Sequence, residues 1–180
     1  MHSTLIDDYF NELKSCASNG PIIDLACGEG RNGLFLADQG LPVIFADRSE
    51  NALQIVETAL KNTAPNNDSS QRKIWLTDLE QPNINPLENK QFSAALVFRY
   101  LHRPLLPYLL EAILPGGIII YETFTIENIQ FGRPNNPDFL LQPGELDRLF
   151  KDWDILHQFE GTLTQPDRAV AQIVCRKPHN

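Results

Sequence analysis

A glycine-rich stretch near the N-terminus has the residue types and spacing that most clearly indicate chemistry in this chain. Residues 22–33 read IIDLACGEGRNG, an apolar run followed by three glycines, and the next apolar run closes on Asp47. Gly28 and Gly30 let the backbone turn sharply and approach a ligand closely. A carboxylate after the second run can accept hydrogen bonds from both hydroxyls of a ribose. The pattern predicts a nucleotide-type cofactor site.

Other marked side chains stand where predicted strands end. They are Asp24, Asp47, Asp78, Phe98 and Glu122. The carboxyl ends of parallel strands meet at one edge of a sheet, and ligands bind beyond that edge. We therefore expect these residues to line a single crevice.

Alternating apolar runs and amphipathic stretches predict the elements that must position these residues. Strands are predicted over 22–26, 43–46, 73–77, 92–98 and 118–121, with a final antiparallel hairpin over 153–159 and 169–175. Helices are predicted over 5–18, 32–39, 50–62, 104–114 and 145–150. Strands that alternate with helices predict an α/β fold, a doubly wound and mostly parallel sheet with helices on both faces.

Three connecting segments complete the pattern. The polar stretch 62–71 is expected to be a mobile loop, and 81–91, with two prolines, is expected to hold little helix. The connection 125–142 is long for a compact domain, which is typical of a functional loop. Because it leaves the carboxyl end of the fifth strand, we expect it to lie over a substrate pocket.

Length and composition bound the function classes. The 180 residues suit one domain, 1–180, opened by an N-terminal helix within residues 1–20. A formal charge of −8 argues against a nucleic-acid or anionic-membrane footprint. No apolar run could span a bilayer, and the N-terminus lacks a signal peptide pattern. Three scattered cysteines indicate a reducing cytoplasm, without disulfides or a metal site. The oligomeric state is left open.

Two cofactors fit the glycine pattern. Gly28, Gly30 and Gly33 match G-x-G-x-x-G with an acid about 20 residues on, as in nicotinamide enzymes. However, Asp24 and Glu29 place carboxylates around the turn, where they would repel a pyrophosphate and suit a cationic sulfonium or amino group. We also expect no second domain to hold a hydride acceptor. These carboxylates therefore favour the sulfonium cofactor, and a nicotinamide oxidoreductase is the least favoured of the alternatives.

At this point the chain resembles the class I S-adenosylmethionine-dependent methyltransferases over nearly its whole length. Residues 22–30 are similar to their first motif, 43–48 to their ribose-binding segment, 77–79 to their adenine-binding segment and 114–117 to their late motif. More narrowly, GRNGLFLA at 30–37 and PGEL at 143–146 resemble the tellurite-resistance (TehB-like) bacterial methyltransferases. The resemblance implies a Rossmann-like seven-stranded sheet with an antiparallel last strand, and S-adenosylmethionine as cofactor.

The resemblance also implies roles for individual residues. Asp24 would face the methionine end of the cofactor, and Asp47 would take the ribose hydroxyls. Asp78 would accept from the adenine amino group while Leu79 packs on the ring. The full set of expected cofactor residues is Asp24, Ala26, Cys27, Gly28, Gly30, Asp47, Arg48, Asp78, Leu79 and Phe98.

Residues for the methyl acceptor are less clearly marked. His102 follows the fourth strand and has a pKa range suited to a base, and Glu122 ends the fifth strand at the same edge. Arg133 stands between Gly132 and Pro134, where it could bind an anionic acceptor together with the Arg99–Arg103 cluster. We expect a small, anionic or oxygen-rich acceptor methylated by in-line displacement, with a non-catalytic cofactor-binding regulator or scaffold as the alternative.

Overall fold

The computed structural model describes residues 1–62 and 72–179. In this part of the chain the strands are β1 (Ile22–Leu25), β2 (Val43–Asp47), β3 (Arg72–Leu76), β4 (Phe92–Phe98), β5 (Ile113–Phe124), β6 (Asp154–Leu163) and β7 (Arg168–Arg176). The α-helices there are α1 (Thr4–Asp8), α2 (Phe10–Cys16), α3 (Arg31–Asp38), α4 (Glu50–Asn62), α5 (Leu106–Ala112) and α6 (Glu145–Leu149).

The strands form one sheet in the order β3-β2-β1-β4-β5-β7-β6. The pairs from β3 to β5 are parallel, whereas β7 runs antiparallel to both β5 and β6. The predicted fold class, a Rossmann-like doubly wound sheet with an antiparallel last strand, is therefore confirmed. The strand order reverses between β1 and β4, and this reversal opens a crevice at the carboxyl ends of the strands.

Both faces of the sheet are covered because the central strands are apolar on each side. On one face, side chains such as Phe45, Leu96 and Ile120 pack with residues of α1, α2, α3 and α4. On the other face, side chains such as Val97 and Tyr121 pack with residues of α5 and α6. All seven residues of β4 are buried, as a strand with two covered faces requires.

Several predicted boundaries were wrong. The single N-terminal helix expected over 5–18 is divided at Tyr9 into α1 and α2, followed by a 3₁₀ turn over Ala17–Asn19. The helix expected over 104–114 ends at Ala112, and Pro115–Gly117 belongs to β5. A register shift opposite Phe92 and Ala94 absorbs these residues, so they form an irregular strand start and no separate turn.

The long connection 125–142 contains regular structure that the sequence did not predict. The stretch 125–142 holds two 3₁₀ helices, Ile126–Phe131 and Pro137–Phe139, and the carboxamide oxygen of Asn128 accepts from the backbone N–H of Ala169 (3.1 Å). It is thus anchored to the start of β7. The loop expected over 62–71 lies, after its first residue, outside the described residues.

Candidate functional site

The turn between β1 and α3 is built from left-handed backbone. Ala26, Gly28 and Gly30 have φ values of 53°, 54° and 72°. A Cβ on Gly30 would lie 2.7 Å from a methyl carbon of Val56, so only glycine fits this position without movement. The turn therefore brings its backbone to the crevice edge in a shape that the glycine spacing predicts.

Asp47, the last residue of β2, is held by the turn itself. Its Oδ2 accepts from the backbone N–H of Gly28 (2.8 Å), and its Oδ1 accepts from the backbone N–H of Ser49 (2.8 Å). Each carboxylate oxygen has a further lone pair, so Asp47 can still accept from a ligand. The carboxylate is thereby oriented before any ligand arrives.

A cavity of about 190 Å³ lies beside Asp47. It is lined by Ala26, Asp47, Arg48, Thr77, Asp78, Leu79, Glu80 and Tyr100. The Oδ1 of Asp78 accepts from the backbone N–H of Glu80 (2.9 Å), and a guanidinium nitrogen of Arg48 lies 3.7 Å from a carboxylate oxygen of Glu80. Burial, with Glu80 beside it, raises the pKa of the Tyr100 hydroxyl well above its usual range.

A second cavity, of about 380 Å³, shares Ala26 with the first. It is lined by Asp24, Ala26, Cys27, Gly28, Glu29, Gly30, Arg31, Asn32, Phe98 and Arg99. Every residue expected to bind a cofactor therefore lines one of these two adjoining cavities, although cofactor contact itself stays a prediction. Asp24, Asp47, Asp78 and the turn 26–30 are called the turn side of the cleft below.

Asp24 is the most deeply placed acid of the turn side. It is 3% exposed, and its Oδ2 accepts from the backbone N–H of Gly33 (2.8 Å). Burial raises the pKa of Asp24 to about 7, while the Gly33 N–H and the charge of Arg31 oppose this and Asp47 adds to it. Burial also raises the pKa of the Cys27 thiol far above its usual range, which disfavours the thiolate that a nucleophile needs.

Glu122, on β5, interacts electrostatically with Arg99, which lines the second cavity. Glu122 itself lines neither of the two cavities, so the single crevice expected for all five strand-end residues is not confirmed for it. Glu122 is 6% exposed, and its Oε2 accepts from the side-chain amide of Gln172 (2.6 Å). The carbonyl oxygen of that amide lies 3.1 Å from Nε2 of His157. Because Gln172 donates to Glu122 through its nitrogen, its oxygen faces the imidazole and accepts the Nε2 proton. The carboxylate is thus held by a line of hydrogen bonds across three strands.

Arginines accompany Glu122 at this edge. The backbone N–H of Arg99 donates to the carbonyl oxygen of Glu122 (2.8 Å), and Arg99 has a φ of 57°, which is uncommon for a residue with a side chain. Desolvation and then Arg31 lower the pKa of the Arg99 guanidinium; Glu122 opposes this and Arg168 adds to it. Arg99, Glu122, Arg168 and Gln172 are called the β5 side of the cleft below.

The other expected acceptor residues lie elsewhere. His102 lines a separate cavity of about 350 Å³ next to Leu79 and Glu80, and is not among the residues around Glu122. Arg133 is exposed and lines neither cavity of the turn side. Their catalytic roles stay predictions, as does that of Glu122.

Arg103, by contrast, forms hydrogen bonds that hold neighbouring segments of the fold together. Its Nε and one Nη donate to the carboxylate of Glu145 (2.7 and 2.9 Å), and its Nη groups also donate to the carbonyl oxygens of Asp138 and Leu140. These bonds tie the start of the α5 segment to the 125–142 connection and to α6. The expectation that Arg103 joins Arg99 in binding an acceptor stays a prediction, and these bonds make Arg99 the better candidate.

Sequence reasoning missed Gln172, His157 and Arg168. All three stand in the last two strands, and the pairing of Glu122 with Gln172 depends on a strand register that the sequence does not show. The one available signal was a polar residue at position 172 within an otherwise apolar run.

Two absences concern only the part of the chain that the structure describes. Residues 1–62 and 72–179 contain no group of three or more His, Cys, Asp or Glu side chains that could hold a metal ion. Within the same ranges, every helix is too short or too polar to cross a bilayer.

Comparison with known proteins shows which family this chain matches. The chain matches the family described as "Tellurite resistance protein TehB" over residues 2–176. It is 27% identical over 145 residues to a Haemophilus influenzae (strain 10810) protein named "Probable S-adenosyl-L-methionine-dependent methyltransferase TehB". That match covers 77% of this chain and 48% of the relative, so the chain spans about half the length of the curated relatives it matches.

Solved structures share the fold. The crystal structure of TehB from Haemophilus influenzae matches with a TM-score of 0.70 at 21% identity, covering 93% of this chain and 62% of that one. The glycopeptide N-methyltransferase MtfA, complexed with S-adenosylmethionine, matches with a TM-score of 0.62 at 17% identity, covering 94% and 87%. At these identities the likeness shows the architecture alone.

Proposed function

The chain belongs to the tellurite resistance protein TehB family, and from this we propose that it is an S-adenosylmethionine-dependent methyltransferase with a small acceptor. The observation that carries the proposal is the turn side of the cleft, where left-handed glycines present backbone beside a pre-oriented Asp47. S-adenosylmethionine supplies a methyl group on a positively charged sulfur, which an acceptor atom displaces in line. The protein's part in such a reaction is alignment and the exclusion of water.

The residues present fit this cofactor. Asp47 has free lone pairs for two ribose hydroxyls, and Asp78 keeps one oxygen for an adenine amino group while its other oxygen holds Glu80. Leu79 offers an apolar surface for the ring, and Arg48 stands beside it in the same cavity. Asp24 supplies a buried carboxyl where a cationic arm would lie. The remaining residues, Ala26, Cys27, Gly28, Gly30 and Phe98, shape the wall.

The same acids weigh against a pyrophosphate. Asp24 and Glu29 line the cavity at the start of α3, which is where a dinucleotide would place its phosphates. The carboxylate of Glu29, joined by that of Asp24 where Asp24 is ionised, would repel that anion. The nicotinamide alternative is therefore disfavoured on electrostatic grounds.

On the β5 side, we assign the acceptor to the neighbourhood of Arg99, Glu122 and Arg168. Arg99 and Arg168 are cations that act on each other electrostatically, and the Nε of Arg168 is buried without a hydrogen-bond partner among the described residues. Such cations favour an anionic acceptor. Glu122, held as an acceptor by Gln172, is placed to receive a proton if the acceptor must lose one. Because Glu122 interacts electrostatically with Arg99, which lines the cavity that Asp24 also lines, we favour Glu122 over His102 and Arg133 for this role.

Tellurite is the first acceptor to test, because the family is named for tellurite resistance and tellurite is a small oxyanion.

The first measurement is thermal stability with S-adenosylhomocysteine, with NAD as the control ligand. At about 100 times its dissociation constant a ligand adds roughly 2.7 kcal/mol, which is a rise of roughly 5–11 °C for a domain of this size. Stabilisation by NAD and not by S-adenosylhomocysteine would refute the proposal.

The second measurement is production of S-adenosylhomocysteine from S-adenosylmethionine with tellurite, selenite and neutral acceptors. We expect turnover with an anion, and in Arg99→Ala a KM for that anion at least tenfold higher, from the loss of one charge-assisted contact. Arg148→Ala, which removes an exposed arginine of α6, is the matched control. Cofactor binding without turnover of any acceptor would support the non-catalytic alternative.

A further inference from the structure

A bulge in β6 determines which face of the sheet His157 occupies. The pairing of β6 with β7 shifts by one position between Ile155 and His157, so Leu156 is an extra residue in the strand. Because successive side chains of a strand alternate between the two faces of a sheet, this extra residue puts His157 on the same face as Gln172. Without it, the imidazole would lie on the opposite face.

The bulge is held by a residue from outside the sheet. The hydroxyl of Tyr9, at the break between α1 and α2, donates to the carbonyl oxygen of Leu156 (3.1 Å). The ring centroid of Tyr9 lies 6.2 Å from that of His157. Bulges are common beside active sites, where they re-aim a side chain. Here the bulge and its Tyr9 contact direct His157 toward Gln172.

Glu122 lies at the other end of this line of side chains. Its partner in the register between β4 and β5 is Phe98, which lines the cavity of about 380 Å³. Among the described residues, the amide of Gln172 is the single hydrogen-bond donor to the Glu122 carboxylate, and it binds Oε2. Oε1 therefore keeps its lone pairs for a ligand.

The amide of Gln172 has two ends of opposite character, because its nitrogen donates and its oxygen accepts. Turned by half a rotation, it would present its oxygen to the Glu122 carboxylate, which has no proton to donate when it is ionised. The Nε2 of His157, 3.1 Å from the amide oxygen, donates to that oxygen when it carries a proton. His157 thus selects the orientation in which the nitrogen of Gln172 faces Glu122.

We propose that His157 is a positioning residue for methyl transfer: acting through Gln172, it holds Glu122 so that Oε1 receives the proton of the acceptor. In that step the O–H bond of the acceptor breaks, the proton joins Oε1, and the electron pair stays on the acceptor. His157 lines neither cavity of the turn side, so its effect passes through Gln172. This inference rests on the proposed function, because it requires an acceptor that loses a proton beside Glu122.

One test is the side-chain amide signal of Gln172 in a proton–nitrogen correlation spectrum of the free protein. The amide nitrogen lies 2.6 Å from the Glu122 oxygen, and charge-assisted hydrogen bonds of this kind are short and strong. We expect the proton that faces Glu122 to resonate downfield of ordinary glutamine amide protons. His157→Phe keeps a ring beside Tyr9 and removes the donor, so this proton should move back toward the ordinary position.

His157→Gln is the conservative variant, because its amide nitrogen corresponds in reach to Nε2 of the imidazole and can donate to Gln172. It should keep the downfield signal. Should His157→Phe fail to fold, His157→Asn is a second variant without the donor, since its shorter amide corresponds to Nδ1 and not to Nε2. A Gln172 amide signal at the ordinary position in the wild-type protein would overturn the inference.

The other test is formation of S-adenosylhomocysteine from S-adenosylmethionine with tellurite, or with selenite if tellurite gives no turnover. General base catalysis contributes about 10²–10⁴-fold, so loss of the positioning contact should lower kcat in His157→Phe by about tenfold or more. The KM for S-adenosylmethionine should change by less than about twofold, because no turn-side bond is lost. His157→Gln should recover most of the lost kcat, and Gln158→Leu, at the next and exposed position of β6, is the matched control.

The outcomes separate this inference from the proposed function. If His157→Phe has the kcat of wild type, the inference fails while the proposed function stands. If His157→Phe and His157→Gln lose kcat equally, the imidazole only packs, and the inference fails in the same way. If the wild-type protein forms no S-adenosylhomocysteine with any acceptor, the proposed function fails and the inference falls with it.

Discussion

The two sides of the cleft are organised in different ways. On the turn side, backbone N–H groups of one short segment hold the acids: Gly28 binds Asp47 and Gly33 binds Asp24. On the β5 side, side chains hold one another across strands, and Glu122 and Gln172 are 50 residues apart in sequence. Local spacing therefore builds the turn side, whereas sheet register builds the β5 side, and the two should respond separately to substitution.

The largest effect should come from the turn side. Asp47→Ala removes a carboxylate that can accept from both ribose hydroxyls, and hydrogen bonds to a charged group contribute about 1.5–3 kcal/mol each. We expect the affinity for S-adenosylhomocysteine, measured by calorimetry, to fall by about two orders of magnitude or more.

Asp152→Ala, which removes an exposed acid after α6, controls for the change in charge. A far-ultraviolet circular dichroism spectrum checks that Asp47→Ala remains folded, because the Gly28 and Ser49 N–H groups lose their acceptor. An affinity within threefold of wild type would show that Asp47 does not contact the ligand. The turn side could then not be distinguished from the β5 side by its role in cofactor binding.

A smaller effect is expected where the turn side joins its helix. A Cβ on Gly33 would lie 2.6 Å from a ring carbon of Phe45 and 2.7 Å from Oδ2 of Asp24. Overpacking of this kind costs about 1–3 kcal/mol, so Gly33→Ala should lower the melting temperature by roughly 2–12 °C. In Gly20→Ala the nearest atom to the new Cβ, on Leu114, is 3.4 Å away, and this variant should melt close to wild type. Equal melting of both variants would contradict the close helix–strand contact.

The smallest effect should separate the two sides most clearly. Gln172→Leu leaves the buried Glu122 without its amide donor, which we expect to cost about 1–2 kcal/mol of stability in denaturant unfolding. The affinity for S-adenosylhomocysteine should change by less than about twofold, because no turn-side bond is lost. Gln158→Leu, at an exposed position of β6, should leave stability nearly unchanged. A large loss of cofactor affinity in Gln172→Leu would show that the two sides are coupled.

Whether a feature can be predicted from the sequence depends on how far apart along the chain the residues that form it lie. The glycine turn, Asp47 and the strands around them were predictable because each depends on residues a few positions apart, through left-handed backbone and strand ends. Two boundaries were not: α5 ends early because β5 starts at Ile113 through a register shift against β4. The break at Tyr9 likewise has no local glycine or proline to announce it.

The acceptor residues show the same limit. Arg99 and Arg103 look alike in the sequence, four residues apart in a basic cluster. In the structure Arg103 is engaged by Glu145, which lies 42 residues further along the chain, while Arg99 lines the cleft. Which arginine stays available depends on where α6 packs, and no local pattern encodes that.

The amino-acid sequence by itself determined the mostly parallel sheet, the glycine turn and the strands that carry or precede Asp24, Asp47 and Asp78, because hydrophobic periodicity and glycine conformation act over short range. Only the tertiary structure decided that Asp24 is buried without a counter-ion and that Glu122 meets Gln172. Burial and cross-strand register are properties of the packed chain, since each depends on which distant elements come to lie against a given side chain.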